Sequence, residues 1–314
     1  MENISSYFGL DKKGIKQSDL DFVDVKLDDD NELFLDPRLI ENNPSKLLRP
    51  MKDCLYKFFG HLVLTISSNQ IPKANDLLAG VFEPKETRLG YGFQNPNGGK
   101  SAGPKLKTDF ITTIQNNPVI KGKKINNLSD LIFFIPNFRN DRISDISTKV
   151  TKNFLIEFTQ KQCKKLGIPT KEVKQKDILN PKTLVWEDKK VELPVYFDGI
   201  IDRPIIFVPK QIVNTENATN SNLRCFFRFA RNFIIRANDT DLTAGAPRNG
   251  KNNTILVSEF DDTIQNIKEE LSKWVIKHPV ILSDYWEATV EKVKPLTDWE
   301  IEQIVYSVKM SKAA

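Results

Sequence analysis

The sequence predicts an α/β protein, with a mixed α+β body over residues 1–213 and a helical C-terminal region over 223–314. Three features lead there. Apolar residues recur at helical spacing between residues 141 and 169, the period shifts to alternation and clustered β-branched residues between 182 and 213, and helical spacing returns beyond 222. The polar run NTENATNSN, residues 214–222, reads as a linker between the two parts. At 314 residues the chain can bury a large core, and no internal repeat divides it.

The first element is NELFLDPRLI, residues 31–40, a short apolar run that reads as a strand terminated by Asp36-Pro37. In SKLLRPMKDCLYKFFGHLVLTI, the positions Leu47, Met51, Leu55, Phe58, Phe59 and Leu62 share one face of a helix of about four turns. KLKTDFITTIQNNP suggests a second helix. DLIFFIPNF, residues 130–138, is a buried strand or helix centred on Phe133, Phe134 and Ile135. From Asp141 to Pro169, the residues Ile143, Ile146, Val150, Phe154 and Phe158 trace one helical stripe, which Gly167 and Pro169 bring to a stop. KTLVWEDKKVELPVYFDGIIDRPIIFVPKQIV reads as strands or a hairpin turning near Asp198-Gly199. Helices follow in NLRCFFRFARNFIIR, TIQNIKEELSKWVIKHP and LTDWEIEQIVYSVKM.

Composition narrows the chemistry. Lys and Arg outnumber Asp and Glu by 46 to 41, a mild excess that suits an anionic partner and equally a soluble surface. The three cysteines, Cys54, Cys163 and Cys225, have no CxxC spacing and read as reduced thiols of a cytoplasmic protein. With only His61 and His278 present, chemistry built on histidine clusters drops out. No basic stretch followed by an apolar core occurs near residue 1, and no apolar run approaches the ~18 residues of a membrane span, so no membrane contact is expected. There is no Gly-x-Ser-x-Gly elbow and no dinucleotide GxGxxG after a strand, which removes serine hydrolases and nicotinamide enzymes.

The stretch LGYGFQNPNGGKSAGPKLK, residues 89–107, ends a glycine run in Gly-Gly-Lys-Ser. A phosphate-wrapping P-loop needs a glycine, four residues, then Gly-Lys-Ser/Thr, and here Gln94 holds the glycine's position. No nucleotide cofactor is therefore expected. Lys100, Lys105 and Lys107 still lead into a helix near Lys105, where free N–H groups and positive charge could meet a phosphate, or where the loop is a simple connector.

Three constellations could carry chemistry. Asp141 and Asp145 are four apart at a helix start and so share a face, an arrangement that suits a divalent cation such as Mg²⁺ or, more plainly, a helix cap with Arg142 as salt-bridge partner. Glu157 lies on the flank of the same helix, where a carboxylate asks for a partner or a metal. Lys210 closes the apolar run PIIFVPK, where metal-dependent nucleases keep a lysine for the attacking hydroxide, but the acidic residue usual two places earlier is Val208, leaving Asp198, Asp202 or the Asp141/Asp145 pair as ligands. Arg224, Arg228 and Arg231 fall at i, i+4 and i+7 of one helix, a guanidinium stripe that should face phosphates or protein carboxylates.

The leading expectation is a divalent-metal nuclease acting on DNA or RNA. In it Asp141 and Asp145 hold Mg²⁺ with Glu157 as an optional further carboxylate, Lys210 orients water, and Lys100, Lys105, Lys107, Arg142 and the arginine stripe grip the backbone without reading sequence. The competing expectation is a non-catalytic subunit that binds nucleic acid, a partner protein or a second copy of itself.

The order FLDPRLI, the glycine-lysine loop, DRISDIST with LIEFTQKQCKKLGIP, and LPVYFDGIIDRPIIFVPKQIV resembles a poorly characterised group of bacterial proteins associated with mobile elements and phage defence. The resemblance spans roughly residues 30–213. It implies a bacterial cytosolic setting and a nuclease or nucleic-acid sensor.

Overall fold

The computed structural model describes residues 2–81, 84–90, 104–122, 125, 127–135, 140–215, 217–239 and 264–307. In chain order its main elements are α1 (Ile4–Tyr7), β1 (Phe34–Leu35), α2 (Pro37–Glu41), α3 (Arg49–Ser67), α4 (Ile71–Leu77), α5 (Pro104–Asn116), α6 (Pro118–Lys121), α7 (Leu131–Phe134) and α8 (Asn140–Leu166). The strands β2 (Lys171–Leu179), β3 (Trp186–Leu193), β4 (Val195–Phe197), β5 (Asp202–Pro204) and β6 (Val213–Asn214) follow, then α9 (Asn217–Arg236), α10 (Ile264–Lys277), α11 (Val280–Thr289) and α12 (Asp298–Val305). This is the mixed α/β class with a helical C-terminal part that the periodicities predict.

The fold is arranged around α8, 27 residues long, which packs α3 and β1 on some faces and the β2–β3 hairpin on others. Ile143, Ile146, Val150 and Phe158 are buried as the stripe requires, but so are Ser144, Ser147, Thr148, Lys149, Thr151 and Lys152. Covered on several sides, the helix satisfies its buried threonine hydroxyls internally: Thr148, Thr151 and Thr159 donate to the carbonyls of Ser144, Ser147 and Leu155. It ends as predicted. Gly167 takes φ +69°, a left-handed conformation without penalty for glycine, and Ile168 N–H returns to the Cys163 carbonyl.

FLDPRLI corrects the strand expected over 31–40. The strand is two residues, Phe34–Leu35, and Asp36-Pro37 opens a helix where the sequence reading ends a strand. Asp36 is the N-cap, its carboxylate accepting from Arg38 N–H at 3.0 Å, and Pro37 fits the first turn because it has no N–H to leave unpaired. In α3 the residues Met51, Leu55, Phe58, Phe59 and Leu62 are buried together, whereas Leu47 precedes the helix and is exposed. Residues 131–134 resolve the strand-or-helix alternative as a helical turn.

All strand pairs among the described residues are antiparallel and two-stranded: β2 with β3, β4 with β5, and β1 with β6. The hairpin turn near Asp198-Gly199 is present. The larger hairpin β2–β3 is not foreseen, because KEVKQKDIL is too polar to announce a strand. It is fastened to α4 through Trp186, whose Nε1–H donates to the Leu77 carbonyl at 2.8 Å and whose indole lies where a side chain on Gly80 would clash.

The segment 214–222 read as a linker is instead strand at Asn214, paired with Phe34, and α9 from Asn217. Nor do the C-terminal helices stand apart. α10 packs on α6 and α7, and α9 sets Phe226 4.5 Å from Phe133 and 4.8 Å from Tyr285 of α11, so one apolar core joins them to the body.

Candidate functional site

α9 buries Leu223, Phe226, Phe227, Ala230 and Ile234 along one face. That spacing leaves Arg224 and Arg228 exposed and Arg231 half-buried on one flank, while Phe229 and Phe233 pack on the other against Tyr285 and His278. Burial, and then the charge of Arg228, push the Arg231 pKa below the ordinary arginine value. From Arg224 to Arg231 the helix rises about 10 Å, a length over which one strand of B-DNA presents about three phosphates.

Glu157 and Lys210 stand apart from the Asp141/Asp145 pair. Asp145 and Glu157 are twelve residues apart on the continuous helix α8, about 18 Å along its axis, so one cation cannot be shared between them. Asp141 is exposed and accepts from the N–H of Arg142 at 2.7 Å, a helix-start contact, and Glu157 accepts from Asn153 one turn back at 3.0 Å. Lys210 lies at the other end. Its ammonium donates to Asp298 of α12 at 2.7 Å and to the Ser18 carbonyl at 3.3 Å, and its N–H meets the Asp21 carbonyl. Asp21 is held by Gln162 and Lys165 from the last turns of α8, about 30 Å of helix beyond Asp141. Lys210 is therefore a tie between α12 and the segment 18–21.

The alternative ligands are also engaged. Asp198 accepts from Ile200 N–H, Ile201 N–H and Arg203 and is held down to about 2 by those bonds, and Asp202 pairs with Lys171. Among the described residues no group of three His, Cys, Asp or Glu side chains is placed to hold a metal ion. Lys100 and the Lys105 side chain lie outside the described residues, and Lys107 is half-buried on α5.

A cluster the sequence reading missed surrounds α2. Arg38 holds Asp36 through Nε at 3.2 Å and Nη2 at 2.9 Å, and its guanidinium stands 5.8 Å from the Trp286 ring centre. Ser129 donates to Glu41 at 2.6 Å, and burial pushes the Glu41 carboxyl up to about 8. Asp130 accepts from Trp286 Nε1–H at 2.7 Å and from the N–H of Asn127. A narrow, half-open cleft runs over this cluster, with Phe34, Ile143, Asn214 and Thr215 on its walls. A second pair joins buried Lys152 of α8 to half-buried Glu86 at 2.8 Å; burial raises the Glu86 pKa, but the Lys152 charge and hydrogen bond outweigh it and leave it lowered. The available signal was charge embedded in apolar runs: LFLDPRLIE and LSDLIFF seat carboxylates among residues that must be inside.

Residues 13–220, about two thirds of the chain, match the family described as a domain of unknown function, DUF8370. The chain belongs to this family. The DUF8370 segment holds β1 to β6, α8 and the Asp36–Arg38–Glu41–Asp130 cluster, whereas the arginine flank of α9 and Trp286 lie beyond its last matched residue. No curated protein and no solved structure matches the chain. No helix among the described residues is long and apolar enough to cross a membrane.

Proposed function

We propose that the protein is a cytoplasmic nucleic-acid-binding subunit that grips phosphates through the Arg224–Arg228–Arg231 flank of α9 and does not itself cut the strand. The observation that carries this reading is the flank's exposure: Arg224 and Arg228, one turn apart on α9, are exposed, with half-buried Arg231 beside them. Guanidinium groups at this spacing suit the oxygens of successive phosphates without reading base edges. The separation of Glu157 and Lys210 from the Asp141/Asp145 pair is why cleavage with Mg²⁺ is left out of the proposal. Phage defence is the setting that the motif resemblance implies.

Fluorescence anisotropy with single-stranded DNA, duplex DNA and RNA tests it. Binding is expected at low salt, with an affinity about tenfold weaker in Arg228→Glu and unchanged in Asp141→Ala. Equal affinity of Arg228→Glu and wild type, or cleavage of any of these strands in Mg²⁺ that Asp145→Ala abolishes, would overturn it.

A protein partner is the second reading, and a specific feature favours it. Phe197, Ile200 and Ile201 at the β4–β5 turn are exposed, with Ile200 at 81%. Sedimentation of the pure protein against an Ile200→Ser variant distinguishes self-association from a foreign partner.

A further inference from the structure

We propose that the cleft over α2 binds a flat, neutral heteroaromatic ring with a hydrogen-bond donor beside an acceptor on its edge, the chemistry of a nucleobase. Polarity comes first. Arg38 is 6% exposed and every hydrogen bond it donates to a described residue ends on Asp36, through its N–H, Nε and Nη2. Its Nη1 donates to no described residue, while the Asp36 carboxylate beside it keeps lone pairs to spare. Both residues line the cleft, so one wall offers a donor next to an acceptor at zero net charge. An anionic ligand would meet Asp36 with Asp130 behind it, and a cation would meet Arg38; a neutral amide-like edge satisfies both.

Shape comes second. The walls are Phe34, Ile132, Phe133 and Trp286, and the cleft is narrow, which favours a planar ring entering edge-first over a branched ligand. Trp286 is fixed by its Nε1 bond to Asp130, so its face is presented in one orientation. Half-buried Asn214 and Thr215 stand on the cleft wall, on the chain leading into α9. The ring can arrive free, as a nucleoside, or carried by a strand held on α9. The pocket does not depend on the α9 reading.

The test uses the full chain and two signals in the ¹H–¹⁵N spectrum, Arg38 Nε–H and Trp286 Nε1–H. Adenosine, guanosine, cytidine and uridine are titrated to ~10 mM, with benzoate as an anionic ring and a short single strand with or without bases. Saturable shifts of both signals with at least one nucleoside, none with benzoate, and about tenfold weaker binding in Thr215→Tyr at unchanged melting temperature are the expected result. Shifts produced by the base-bearing strand but by neither free nucleosides nor the abasic strand would place the ring on the strand and also support the pocket. Absence of shifts with every nucleoside and strand, or benzoate shifts equal to those of nucleosides, would overturn it. So would nucleoside binding undiminished in Thr215→Tyr. Nucleoside shifts in Arg228→Glu equal to wild type would separate the pocket from the α9 surface.

Discussion

The charges on α9 and the charges around α2 and α8 are made of the same residue types and face opposite ways. On α9 Arg224 and Arg228 are exposed beside half-buried Arg231, whose pKa is lowered by burial and then by Arg228. Around α2 and α8 the cations are buried against carboxylates: Arg38 on Asp36, Lys152 on Glu86. Buried pairs constrain the fold because removing one member strands the other in a medium that cannot solvate it. An exposed row of one sign is held in high dielectric, where each charge contributes little to the fold. Charge in this molecule is sorted by burial, not by position along the chain.

Four measurements would break or sharpen that contrast. Lys152→Met leaves Glu86 without its cation and is expected to lower stability by about 3 kcal/mol in urea unfolding, the largest effect of the set. Next is Glu41. The fold favours its neutral form, so its contribution is complete below the ordinary glutamate value near 4.5 and is lost as pH rises through about 8. Glu41→Gln cannot ionise, so between pH 5 and pH 6.5 its stability should gain about 2 kcal/mol on wild type, read from melts at each pH. A gap that stays constant with pH would show that Glu41 titrates normally.

The α9 side of the contrast predicts smaller energies and a different signature. Arg228→Ala should leave the melting temperature within a degree or two, yet reduce the slope of log affinity against log salt by about one. Lys210→Ala removes a half-buried pair with Asp298 and is expected to cost less than about 1 kcal/mol, with the same nucleic-acid affinity as wild type. An affinity loss there would return Lys210 to the binding surface.

Much of the architecture is legible in the residues themselves. The α8 stripe with its Gly167 stop, the α3 face, the Asp198-Gly199 turn and the C-terminal helices all follow from spacing, because amphipathic period and glycine punctuation are local properties. β2 was hidden because its outward positions are lysine and glutamate and its inward ones are set by α8, a tertiary fact. Asp36-Pro37 misled because the same dipeptide ends strands and opens helices. Spacing along the chain could not show that Glu157 and Lys210 lie away from the Asp141/Asp145 pair, because a 27-residue helix keeps its ends apart however suitable the side chains. Conversely, the α2 cluster draws Asp36, Ser129 and Trp286 from distant parts of the chain, a convergence that no local spacing encodes.

The ties between the first and last described segments bear on how the protein is made. Asn3 donates to the Val305 carbonyl and Tyr306 to the Asp24 carboxylate, contacts that span 302 and 282 residues. At ~5–20 residues per second, Tyr306 leaves the ribosome roughly 15 to 55 seconds after Asp24. Through that interval the nascent chain holds Asp24 without one of its donors and β1 without β6 until residue 213 has been added. Translation speed, more than any intrinsic folding rate, therefore sets how long these surfaces stand open to chaperones and to other chains.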